Sequence, residues 1–79
     1  MEQLIELSQT EIKLAFVASC IEVTARALGK SYQEVFERMK RAEMISNYIW
    51  PNYEMLHTES RENVTNNMIE YLTMWEAKQ

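Results

Sequence analysis

The sequence is short of the residues that punctuate a chain. Its 79 residues hold one Gly (Gly29), one Pro (Pro51), one Cys (Cys20) and one His (His57). One Gly excludes the glycine-rich loops that cradle phosphates. One Cys excludes an intramolecular disulfide, and a lone thiol inside an apolar run suits a reducing, cytoplasmic setting. One His excludes any metal site that needs two imidazoles from a single chain. Long apolar runs are also lacking. The longest uncharged one, Leu14 to Ile21, is bounded by Lys13 and Glu22, and a membrane span needs about 20 residues. The start, Met1-Glu2-Gln3-Leu4-Ile5-Glu6, has no basic region followed by an apolar core, so no signal peptide is expected.

What remains suits one domain. A chain this short buries only about 60% of the surface its unfolded form exposes. With no disulfide to help, self-association or a protein partner is a physical expectation. The net charge is −4 and unevenly spread. Residues 1–22 set one Lys against four Glu; residues 23–41 set five basic residues against two acidic; residues 42–79 set two basic against six acidic. An acidic whole weighs against general binding to phosphate backbones.

Few breakers and no strict apolar/polar alternation predict an all-α chain. Ser8 and Glu11 fit a capping box, with Thr10 as the alternative cap, opening a helix over 10–28 that Gly29 ends. Two apolar sets populate it: Ile12, Phe16, Cys20, Val23 and Ala27, and Leu14, Val17, Ile21, Ala25 and Leu28. A helix apolar around most of its girth reads as a central, buried post. Ser31 and Glu34 form a second capping box for a helix over 32–41, with Tyr32, Val35, Phe36 and Met39 inward and Lys40 and Arg41 at its negative end. A third helix is expected over 43–50, with Ile45, Tyr48 and Ile49 inward. Pro51 should stop or kink it at Trp50 by disfavouring helical geometry there. A further turn follows to 57. Ser60 caps a last helix, 60–77, whose face is Val64, Met68, Tyr71, Leu72 and Trp75. The expected architecture is a small orthogonal bundle of about four helices, with residues 1–8 as an N-terminal arm.

Several segments carry a family pattern. They are Cys20-Ile21-Glu22, Ser31 with Glu34-Val35-Phe36, Ile49 followed by Tyr53-Glu54-Met55-Leu56-His57-Thr58, and Val64 to Leu72 ending Ile69-Glu70-Tyr71-Leu72. Over Glu11 to Leu72 the chain resembles the bacterial domain of unknown function 3791 family. The Leu-His-Thr element after a Tyr is its most distinctive part. The resemblance implies a small intracellular helical protein without assigned activity. Families of this kind are often encoded beside a protein resembling ADP-ribosyltransferases, which implies a protein partner and a toxin–antitoxin arrangement.

Candidate chemistry is sparse. Glu54 and His57 form Glu-x-x-His, the spacing that di-iron bundles turn inward, but those sites need two such pairs and further carboxylates. Only a dimer supplies two copies, so no metal or cofactor is expected in the single chain. The structural role for His57 is to close the segment before it by bonding its last carbonyls or the start of the last helix. Cys20 paired with His57 would make a nucleophile and base, but Cys20 reads as a small core residue. Arg26, Lys30, Arg38, Lys40 and Arg41 invite a helix-turn-helix reading. The turn Lys40-Arg41-Ala42-Glu43 has no Gly, and Glu43-Met44-Ile45-Ser46-Asn47-Tyr48 offers no Arg or Lys to base edges. Met44, Met55 and Met74 do not all fit the inner faces, and surplus Met and Trp suit an adaptable protein interface. The residues expected to form a partner-binding or structural motif are Tyr53, Glu54, His57, Thr58, Trp50 and Met44. The expected function is a non-enzymatic interaction module, possible self-association included, with a DNA-binding regulator or a metal site across a dimer as the alternatives.

Overall fold

A computed structural model of the chain describes residues 8–79, so the arm expected at 1–8 lies outside the described residues apart from Ser8. Four α-helices and one π-helix follow in order: α1 Gln9–Leu28, α2 Tyr32–Arg41, π1 Ile45–Ile49, α3 Tyr53–Leu56 and α4 Arg61–Ala77. There is no strand among the described residues, and the chain is all-α. No helix among them is long and apolar enough to cross a membrane.

Local chemistry sets most of the boundaries. Ser8 and Glu11 make both halves of the capping box: Glu11 N–H donates to Ser8 Oγ at 3.1 Å, and Ser8 N–H donates to Glu11 Oε1 at 2.9 Å. Gly29 (φ 68°) ends α1 in the left-handed conformation, and the Lys30 N–H closes back on the Ala25 carbonyl at 3.0 Å. Ser31 caps α2 through the Glu34 N–H at 3.0 Å. The Glu34 side chain does not return the bond, so only half of that box forms. Ser60 caps α4 through the Asn63 N–H at 3.1 Å.

The segment between α2 and α4 departs from expectation. It is not an α-helix over 43–50. Ala42 and Glu43 form a turn, and Glu43 takes the left-handed conformation, φ 56°. That position costs a non-glycine residue about 1–2 kcal/mol. The chain then enters π1, where the Trp50 N–H reaches the Ile45 carbonyl five residues back, at 2.9 Å. Packing explains the wider turn. Met44 and Ile49 are both completely buried, and five residues of α-helix would set them about 140° apart. A π turn brings residues five apart toward one side. Trp50 keeps helical angles (φ −62°, ψ −50°) although Pro51 follows it; the break falls at Asn52 (φ −104°, ψ 18°). The Asn52 side-chain amide donates to the Tyr48 carbonyl at 2.7 Å and ties off the end of π1.

The core gathers Val17, Cys20, Ile21 and Ala25 of α1 and Val35 and Met39 of α2. Ala42, Met44, Ile49 and Leu56 join from the connecting segment, and Val64, Met68 and Leu72 from α4. α1 packs along both α2 and α4 and is the common wall of the bundle. Tyr48 stacks on Tyr71 with centroids 4.5 Å apart. Arg38 of α2 makes a bidentate ion pair with Glu76 of α4, at 2.8 and 2.7 Å, and fastens the last turn of α4 to the bundle.

Candidate functional site

The expectation that α1 is buried all round holds for one side only. Val17, Ile21, Thr24 and Ala25 face the core. The set that includes Phe16, Cys20, Val23 and Ala27 is divided, with Cys20 in the core and Phe16 packed against it. Phe16, Val23 and Ala27, with the side of Cys20, line an open groove of about 720 Å³ between α1 and the start of α4. Ile12 and Val23 are half-buried and Ala27 is exposed. Val64 and Thr65 form the opposite wall. Glu22 and Arg26 stand on the α1 rim, Glu59 and Arg61 on the α4 rim, one charge of each sign per wall. Glu22 and Arg26 meet at 3.1 Å with both side chains well exposed. Arg61 makes no ion pair among the described residues.

One end of this groove meets an aromatic cluster. The Phe16 ring stands edge-on to Tyr53, with centroids 5.3 Å apart. His57 stacks on Tyr53 at 4.6 Å. The Lys13 ammonium lies 5.3 Å from the Trp50 ring and 5.8 Å from Tyr53, within cation–π range of both. Three of the residues singled out from sequence, Trp50, Tyr53 and His57, are therefore neighbours beside the groove. Lys13 and Phe16 complete their cluster. Sequence reasoning placed Phe16 with the core, against which it does pack, but gave Lys13 no role; the spacing that puts both on one flank of α1 was the available signal.

The other expectations divide. Met44 is completely buried and belongs to the core, so it is no surface anchor. Met55 and Met74 are exposed at 53% and 55%. Glu54 is largely exposed, and its carboxylate lies 3.8 Å from His57 Nε2, too far for a hydrogen bond. The closing bond assigned to His57 is made otherwise. Its main-chain N–H donates to the Tyr53 carbonyl at 2.9 Å, and the Thr58 hydroxyl donates to the Met55 carbonyl at 2.8 Å. No cluster of three or more potential metal ligands occurs among the described residues. Cys20 is completely buried, and burial pushes its thiol up to about 12. A thiol so shielded is a poor nucleophile. Of the basic segment, Arg38 is committed to Glu76: their hydrogen bond raises the guanidinium's pKa and lowers the carboxyl's.

The family described as protein of unknown function (DUF3791) matches the chain over residues 15–75, close to the Glu11–Leu72 stretch that carried the resemblance. No curated protein and no solved structure gives a significant match.

Proposed function

Since the chain belongs to the DUF3791 family, whose members have no assigned activity to lend it, we propose from its own surface that it is a non-enzymatic protein-interaction module working from the α1–α4 groove. One observation carries this reading: Phe16, Val23 and Ala27 of α1, from the set that also supplies the core residue Cys20, line an open groove beside the core. Phe16 and Val23 are only half-buried there and Ala27 is exposed, burial that a small domain leaves unused, and a concave, partly apolar surface is a candidate binding site. The withdrawn thiol of Cys20 supports the absence of catalysis through it. The mechanism is steric. A helix of the partner lies along α1, and the chain covers whatever surface that helix belongs to.

The partner implied by the family pattern is an adjacently encoded, ADP-ribosyltransferase-like protein, with this chain as its antitoxin. The test is co-expression of the two, followed by purification through a tag on this chain, with a growth assay of the neighbour expressed alone. A stable complex and a toxic neighbour support the antitoxin role. A neighbour that is harmless and unbound removes it. Arg38, tied to Glu76, and the mixed charge of the groove rim both weigh against a nucleic-acid target.

A further inference from the structure

The break between α2 and π1 rests on one residue. Ala42 (φ −78°, ψ −4°) and Met44 (φ −78°, ψ −19°), on either side of it, both hold right-handed helical angles. Glu43 between them is left-handed, φ 56°. Its side chain is exposed, so packing of Glu43 itself does not hold the turn. We propose that Glu43 is the hinge of an exchange between two copies of the chain. Rotated to right-handed angles there, α2 and π1 run on as one helix. Each chain's segment from Ile45 onward then closes on the α1–α2 pair of the other.

Local preference and tertiary structure conflict at this point. From Tyr32 to Trp50 there is no Gly or Pro. Ala42, Glu43 and Met44 belong to the residue types that form helices best. Helical bonding reaches the hinge from both directions. The Ala42 N–H donates to the Arg38 carbonyl and the Asn47 N–H to the Glu43 carbonyl, each at 3.0 Å. A straight helix turns the segment that follows away from its own α1. The α1–α2 pair cannot close alone, because Cys20, Ile21 and Val35 share one core with Met44, Ile49 and Met68 from beyond the hinge. A second copy offers the same surfaces. Exchange therefore restores that core and relieves the left-handed residue in both chains, and a short strained hinge favours it. Three contacts pass from within a chain to between chains: the Arg38–Glu76 ion pair, the Phe16–Tyr53 ring contact and the Lys13–Trp50 cation–π contact. The α1–α4 groove is kept, two to a dimer, with its walls now drawn from different chains.

The test uses two variants that cannot make the Arg38–Glu76 pair by themselves. Arg38→Glu and Glu76→Arg each set like charges across α2 and α4. The two full chains are unfolded together in urea and refolded at high concentration and low salt. Light scattering gives the mass, and native mass spectrometry counts each variant in the dimer. In an exchanged heterodimer both pairs again join opposite charges, so it should exceed either homodimer about tenfold, and the preference should fade in high salt. Glu43→Gly suits the turn and weakens the straight helix. At about tenfold per hinge, it should raise the dimer's dissociation constant about a hundredfold. The inference is overturned if the mixture refolds only to monomers, if homodimers form as readily as heterodimers, or if Glu43→Gly leaves the dimer unchanged. Should the charge variants stay unfolded even when mixed, the parent chain refolded in the same way decides. A parent dimer that Glu43→Gly dissociates supports the exchange. A parent that is monomeric at every concentration, or a dimer indifferent to Glu43→Gly, overturns it.

Discussion

The two apolar stripes of α1 have similar composition, yet over the middle of the helix most of their residues part ways, with Leu14 exposed in the one and Cys20 buried in the other. Val17, Ile21 and Ala25 are sealed in the core; Phe16, Val23 and Ala27 are left at an open groove. Hydrophobicity therefore does not decide which stripe is core. Position relative to the partner helices does. The sealed residues hold the fold, and the groove residues are those on which the proposed interaction rests.

That contrast can be broken by experiment. The largest effect is expected at Ile21, only 2% exposed: Ile21→Ala should cost about 3 kcal/mol in urea unfolding. An effect below 1 kcal/mol would erase the distinction between the stripes. Cys20 sits on the border, buried yet beside the groove. Cys20→Ser places a hydroxyl in that site and should cost about 1–2 kcal/mol. The native thiol should react with a water-soluble disulfide reagent far more slowly than the unfolded one, and equal rates would show an open site. Glu76→Gln breaks the tie between α2 and α4 and should cost about 1 kcal/mol, since the pair is partly exposed. The sign of its pH dependence follows from the lowered carboxyl pKa. Glu76 contributes its stability above the unfolded carboxyl pKa, and the contribution is lost as pH falls through the lower folded value. The parent should therefore lose more stability on acidification than Glu76→Gln. The smallest effect is expected on the groove side, where Ala27→Glu should shift stability by no more than about 0.5 kcal/mol while releasing a co-expressed partner if the proposed interaction reading holds.

What was legible in the sequence was local. Ser8, Ser31, Gly29 and Ser60 mark helix ends because their bonds reach only three to five residues along the chain. Two features defeat local rules. Glu43 occupies a left-handed position that composition assigns to Gly, because the burial of Met39, Ala42 and Met44 around it outweighs the backbone cost. Over five residues, Ile45 to Ile49, apolar spacing does not distinguish a π turn from an α turn. The site was half legible. Trp50, Tyr53 and His57 stood out by type and do sit together. The groove did not, because it exists only where α4 approaches α1 at an angle that no spacing within α1 encodes.

The π turn bears on how relatives of this chain are to be aligned. A π turn is an α turn holding one additional residue within its hydrogen-bonded ring. A relative one residue shorter between Met44 and Trp50 can close an ordinary α turn there and leave α2 and α4 in register. A single gap at that point is then the signature of an insertion absorbed by the backbone, not of a lost helix.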